Sequence, residues 1–272
     1  MLKFSIPQWH AWAPGIESVD AWREWAQCPF IPSTDTRAPT PDLGFLPAMQ
    51  RRRLSPLARM AVGSAWPLTR DGETLPMVYA SHHGETTRGY ELLHTLAQDQ
   101  PLSPTSFSLS VHNACAGMWS ILRHDTTETV ALSVQGDGLE SAIVEASLLL
   151  AAGHCAVLVV LAEEQPPASY TAWIDDIPFP YALALRLTEG QDFQLKLLAP
   201  MAGEPATPAA ARVSIPVAGD PAALTAGAHA TPTASESIAL PNPLNLLRHL
   251  ALGSRAWTHS HPRRQWRWQH SS

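Results

Sequence analysis

The segment Thr129–Ala162 constrains the fold more than any other part of the chain. It runs TVALSV, then QGDG, then LESAIVEASLLLAA, and after Gly153-His154 continues as CAVLVVLA. A β-branched run, a glycine turn, a Leu/Ala-rich stretch and a valine-rich run read as strand, tight turn, helix and buried strand. That order is a βαβ unit with a parallel, right-handed crossover, so an α/β fold is expected. The apolar stretch from Ala142 to Ala162 approaches the length of a membrane span. Glu145 and the Gly153-His154 break divide it, so helix plus strand is expected and no membrane span.

Further elements are predicted around this unit. Ser18 can cap a helix over VDAWREWAQ, with Trp22 and Trp25 on its packed face. Apolar spacing suggests one helix over Met49–Ala65 with Pro56 in its first turn. Pro76–Ser81 reads as a strand, Glu85–Gln98 as a helix, and Phe107–Val111 as a strand or extended loop. Tyr181–Leu187 and Phe193–Leu198 suggest an antiparallel pair turned at Glu189-Gly190. Three regions follow: a main unit over 1–198, an Ala/Pro-rich mobile or extended connection over 199–242, and a C-terminal part over 243–272. The last holds a helix at Pro243–Leu252 and a basic aromatic tail (Arg263, Arg264, Trp266, Arg267, Trp268) that either docks on the body or frays.

Composition narrows the function classes. An apolar fraction of 45% supports a folded core, and 25 prolines disfavour a continuous helical bundle. A net charge of −6 argues against a nucleic-acid partner. Cys28, Cys115 and Cys155 form no CxxC pattern and read as reduced thiols in a cytoplasmic protein; the first residues carry no leader-like apolar run.

Several motifs could carry chemistry. Gly136-Asp137-Gly138 lies between strand and helix, where anion sites and nucleophile elbows occur, yet it lacks the third glycine of a dinucleotide fingerprint and the GK[ST] of a P-loop. His112 and Cys115 could form a thiolate pair, although a buried structural cysteine is the simpler expectation. His82-His83 could suggest metal ligands. Neighbouring side chains on a strand diverge and no HExxH spacing accompanies them, so a loop or cap role is expected and no metal. Arg51, Arg52 and Arg53 form a basic cluster suited to an anionic partner. Glu163-Glu164 and Asp175-Asp176 are adjacent pairs and do not suggest the facing carboxylates of a hydrolase.

The order MVYASHHGETTRGYELL, LSPTSFSLSVHN, AGMWSI, TVALSV, LESAIVEASLLLAAG and CAVLVVLAEE, with DTRAPTPDLGFLPAMQRRRLSPLARMAVGSA upstream and PFPYALALRL downstream, resembles the β-ketoacyl synthase N-terminal domain family. Within it, the chain is similar to the short synthase-like, chain-length-factor-like proteins of bacterial aryl-polyene clusters. The resemblance implies a thiolase-like fold, mainly its N-terminal half with a truncated C-terminal part. Aligned on Asn113, Ala116-Gly117 and the helix from Ser141, the family's nucleophilic cysteine falls on Gly136, or on Gln135 one residue away. Neither can form a thioester. No GTGT-like or NFGFGG-like segment follows Leu198, and His229, His249, His259, His261 and His270 lie outside the family's motifs.

The resemblance therefore implies a non-catalytic partner of an active ketosynthase, in a heterodimer that elongates chains on an acyl carrier protein. The chain itself would need no cofactor, since 4′-phosphopantetheine is carried by the carrier protein. The tunnel-lining loop of such pairs maps onto Phe107 to Cys115. Phe107, Leu109 and Val111 would form its apolar wall, and His112, Asn113 and Cys115 would fix it. Arg51–Arg53 would meet the partner or the carrier protein. Two alternatives stay open: a Cys115/His112-dependent acyltransferase or thioesterase, and a stand-alone thiolase-like scaffold.

Overall fold

The predicted strand–helix–strand unit is present, with a third strand inserted into it. In a computed structural model, which describes residues 1–32, 40–198, 212–216, 235–261 and 264–271 (backbone alone for 212–216 and 235–238), β3 (Thr129–Ser133) leads through α7 (Gly138–Ala151) to β4 (Val157–Glu163). Between them lies β2 (Met77–Ser81), parallel to both. The sheet continues antiparallel through β5 (Tyr181–Leu198) to β9 (Arg264–His270) and β8 (Ala256–His261), while β1 (Leu2–Trp12) pairs with the other side of β5.

Alternation along the central strands builds two cores. Val157, Val159 and Leu161 point to one face, where Leu139, Ile143 and Ala146 of α7 pack together with Trp22 and Trp25 of α1 (Val19–Gln27) and Leu244, Leu246 and Leu247 of α8 (Asn242–Ala251). Leu158, Val160 and Ala162 point to the other, against Leu57 and Ala61 of α3 (Pro56–Ala65) and Cys115, Trp119 and Leu122 of α6 (Ala114–Arg123). A strand buried on both faces must be apolar at consecutive positions, which is why CAVLVVLA shows no alternation of its own. No described helix is long and apolar enough to cross a membrane; the apolar run from Ala142 is divided between α7 and β4.

Three local expectations are corrected, and a fourth is settled. Met49–Ala65 is two helices, α2 (Ala48–Arg51) and α3, because Ser55 caps α3 through the Ala58 N–H and Pro56 occupies its first position. Phe107–Val111 is neither strand nor extended: α5 (Pro104–Ser108) begins at Ser103, whose hydroxyl accepts from the Ser106 N–H, and a bend follows. Tyr181–Leu187 and Phe193–Leu198 do not pair with each other. Both lie in β5 and pair with β1, and the expected turn at Glu189-Gly190 is a bulge where the register on β1 jumps from Phe4↔Phe193 to Ser5↔Thr188. Gly190 is required there because Ser5 occupies the space of a side chain. The basic aromatic tail docks: β9 extends the sheet, with Trp266 and Trp268 buried.

Within 199–242, Arg212–Pro216 and Ser235–Ala239 form a separate antiparallel pair. Residues 199–211 and 217–234 of the Ala/Pro-rich connection, His229 among them, and Arg263 of the tail lie outside the described residues. α4 (Thr86–Ala97) follows the turn after β2 and lies beside the bend at α5.

Candidate functional site

The N-terminus of a buried helix stabilises an anion through its free N–H groups and its dipole. In α7 that end is supplied with its own anions. Asp137, at the N-cap position, and Glu140, in the first turn, are both buried. Asp137 uses both carboxylate oxygens on the C-terminal strand, accepting from Arg264 Nε at 2.8 Å and Nη2 at 3.1 Å, and from Trp266 Nε1 at 3.0 Å. Glu140 accepts from Trp268 Nε1 and from Asn242 Nδ2, each at 2.9 Å, with His259 Nδ1 3.3 Å away. Three tail residues thus bind the helix end across at least 127 positions of sequence, and no local spacing announces the arrangement.

Gly136 and Gln135 lie in the turn leading into this end, and both are exposed. A Cβ on Gly136 would stand 2.5 Å from Cδ2 and 3.2 Å from Nε2 of His261, at the end of β8. At Gly138 it would overlap Val134, so a side chain on either glycine forces its neighbour to move. A cavity of about 100 Å³ adjoins it, walled in part by Ser81, Gly136, Leu139, Glu163, Tyr181 and Pro241.

Cys115 is distant from any such position. It is buried in α6, 3.9 Å from Glu85 Oε1. Burial pushes its thiol well above the ordinary range, and the nearby Glu85 carboxyl adds to the shift. His112 does not pair with it: the His112 Nε2–H donates to the Ser81 carbonyl at 3.0 Å. The ring packs so closely on Gly84 (φ +56°) that a Cβ there would come within 2.9 Å of His112 Cδ2. Nucleophile and base are therefore not within reach of each other, and the thiol is held in its neutral form.

Around Cys115 lies a second set of groups that the sequence reading did not single out as a unit. Glu85 accepts from Ser55 Oγ at 2.6 Å and lies 3.4 Å from Arg88 Nε. With Glu164, Thr87, Arg52 and Arg53 it lines an open cavity of about 330 Å³. Burial raises the Glu85 carboxyl and pushes Glu164 up to about 7, with the Glu85 and Glu91 charges adding to the latter. Arg52 and Arg53 are exposed, and Arg51 is half-buried beneath Arg59, whose Nη2 donates to its carbonyl.

The loop residues divide by exposure. Among the described residues Phe107 is 63% exposed, Val111 48% and Ile121 56%. Leu109 turns inward onto the core beneath α6, and Asn113 is the N-cap of α6 and exposed. Leu109, Val111 and Asn113 line a groove of about 360 Å³ with Met118, Ile121 and Arg53.

His82 and His83 do not diverge as strand neighbours would, because β2 ends at Ser81 and both occupy the bend beyond it. Their rings, 3.9 Å apart, converge on Asp176. His82 Nδ1 is 2.7 Å from Oδ2 and His83 Nε2 is 2.9 Å from Oδ1. The Asp176 hydrogen bond raises His82. Burial alone would raise the Asp176 carboxyl, but the two imidazoles outweigh it and hold the group below the usual range.

Comparison with known proteins agrees with this architecture. The β-ketoacyl synthase N-terminal domain profile matches residues 22–269. Among solved structures, a chain from the complex of the ketosynthase ApeO with its chain length factor ApeC, from Xenorhabdus doucetiae, superposes with a TM-score of 0.76 at 28% identity, covering 99% of this chain and 100% of that one. The ishigamide ketosynthase/chain length factor gives 0.56 at 15% identity over 75% and 69% of the two chains. A β-ketoacyl synthase from Burkholderia phymatum gives 0.52 at 14% over 76% and 67%; these two matches speak for the fold alone. No curated protein matches. The chain belongs to the β-ketoacyl synthase N-terminal domain family, with a thiolase-like α/β fold.

Proposed function

We propose that this chain is a chain-length-factor-like subunit that performs no condensation itself. It would pair with an active β-ketoacyl-acyl-carrier-protein synthase in polyketide- or fatty-acid-type elongation, of the aryl-polyene kind. One observation carries the proposal: the N-terminal turn of α7 carries two buried carboxylates, Asp137 and Glu140, which accept from Arg264, Trp266 and Trp268. An acyl-enzyme mechanism needs a thiol and free anion-stabilising donors at such a helix end. Here the nucleophile register falls on Gly136, and the helix end already carries negative charge from carboxylates of the chain itself.

The exposed Phe107, Val111 and Ile121 supply an apolar surface for a ketosynthase. The resemblance to a chain of a ketosynthase–chain length factor complex supports the same partner. In this reading Phe107 and Val111 close the far end of the partner's acyl tunnel, while Leu109, His112, Asn113 and Cys115 anchor the loop from behind. Each added CH₂ gains about 0.8 kcal/mol on burial, so elongation proceeds until side-chain volume forbids another unit. The growing chain rides on 4′-phosphopantetheine of an acyl carrier protein, and the acidic carrier meets Arg52 and Arg53, with Arg51 behind them. The assembly works in the cytoplasm.

The test is co-expression with the ketosynthases encoded beside it, followed by size-exclusion chromatography and analysis of the acyl products. Co-elution with one of them, and product formation that requires both chains, is the expected result. A stable, soluble homodimer that binds no ketosynthase would favour the stand-alone scaffold. An acyl thioester mapped to Cys115 of the isolated chain would favour the acyltransferase.

A further inference from the structure

His82 and His83, in the bend after β2, converge on Asp176 of the β4–β5 connection. Nδ1 of His82, Nε2 of His83 and a carboxylate oxygen of Asp176 all lie within 4.8 Å of one another. The two N···O distances of 2.7 and 2.9 Å are those of hydrogen bonds formed without an ion. Zinc bound at about 2.0–2.2 Å from each atom needs donors roughly 3.3–3.5 Å apart in a tetrahedral set. A shift of roughly half an ångström at each of these two N···O contacts brings both pairs to that spacing.

The arrangement can make that shift at one end only. His82 and His83 are fixed from behind, since Glu163, itself buried, accepts from both backbone N–H groups and from Ser81 Oγ. That carboxylate fixes the main chain from which both imidazoles project toward Asp176. Asp176 comes from the connection between β4 and β5 and is about half exposed, so it is free to adjust. The donor set is two imidazoles and one carboxylate, which suits zinc and not the all-oxygen preference of magnesium or calcium.

We propose that His82, His83 and Asp176 form a zinc site with three protein ligands. Its remaining coordination position faces the cavity beside Gly136, which His82 and Asp176 also line. Bound zinc would tie the β4–β5 connection to the end of β2 at the mouth of that cavity. An open position there would accept water or an oxygen or sulfur donor from a ligand.

Zinc chloride titrated into the metal-stripped full chain by calorimetry is the test. We expect one equivalent to bind with a Kd below about 100 μM, and His83→Ala or Asp176→Asn to weaken it by about tenfold or more. Cobalt added in place of zinc should give a visible spectrum that His83→Ala abolishes. Circular dichroism of each variant checks that it is folded, and His82→Gln is the second variant should His83→Ala not fold. Absence of saturable binding below that limit, or binding that these substitutions leave unchanged, overturns the proposal.

Discussion

Substituting Gly136 tests how completely the α7 turn is closed. Its φ lies outside the left-handed region, so alanine meets no backbone strain and the whole cost is steric. The new Cβ would lie 2.5 Å from His261 Cδ2, where ordinary contact begins near 3.4 Å, an overlap of nearly 1 Å. Overpacking of this kind costs about 1–3 kcal/mol, and because the His261 ring is half-buried and can partly swing aside, about 1–2 kcal/mol is expected for Gly136→Ala. In a His261→Ala background the clash is gone. The glycine-to-alanine change then gains roughly 0.4–1 kcal/mol by restricting the unfolded chain. The two substitutions should therefore couple by about 1.5–3 kcal/mol in urea unfolding followed by tryptophan fluorescence. Gly136→Cys carries the same penalty, and its thiol should react slowly with iodoacetamide unless His261 is also removed. An equal cost in both backgrounds, or an introduced thiol that labels as fast as the exposed Cys28, would show that His261 does not close this position.

Phe107→Ala should leave stability within about 0.5 kcal/mol, as expected for an exposed side chain, while lengthening or broadening the product of the assembled complex by mass spectrometry. Glu164→Gln should stabilise the chain at pH 8. A carboxyl raised from 4.5 to about 7 in the folded state makes its largest contribution below pH 4.5, and that contribution is lost as pH rises to about 7. The variant should gain about 2–3 kcal/mol at pH 8 and nothing at pH 4. The Glu73–Arg186 pair has the opposite sign. Its hydrogen bond to Arg186, at 2.6 Å, holds Glu73 at about 2, so its stabilisation is present above pH 4.5 and is lost as pH falls towards 2. With both side chains about one-fifth exposed, screening leaves about 1–2 kcal/mol, to be read as a flatter acid limb in Arg186→Met.

What the sequence made legible is what local pattern dictates. TVALSV, the helix from Gly138 and CAVLVVLA are recognisable because each is predominantly apolar and glycines separate one from the next. α5 was equally announced by Ser103-Pro104, a capping serine before proline, but FSLSV read on its own looked extended. β1 stayed hidden because LKFSIPQWHAW mixes proline, histidine and lysine with its apolar residues; β5 and the bulge at Ser5 define it. The register that puts Gly136 at the nucleophile position came from the family resemblance, not from spacing. The His82–His83–Asp176 cluster was missed because strand alternation was applied one residue too far: β2 ends at Ser81, and the partner carboxylate is more than ninety positions away.

The closure of the α7 terminus is a requirement of folding and not an added lid. Asp137 and Glu140 are 3% and 1% exposed. A buried carboxylate without partners costs several kcal/mol even after the protein relaxes around it. The helix dipole offsets part of that cost, and the carboxylate lone pairs take their donors from Arg264, Trp266, Trp268, Asn242 and His259. Without β8 and β9 these carboxylates would lose all but the Asn242 donor, and β5 would lose its β9 neighbour from Phe193 to Leu198. A condensing enzyme needs the same helix end accessible to substrate. In this chain the carboxylates at that end also bind the last strand to the sheet, so exposing them means detaching β9 from the α7 terminus.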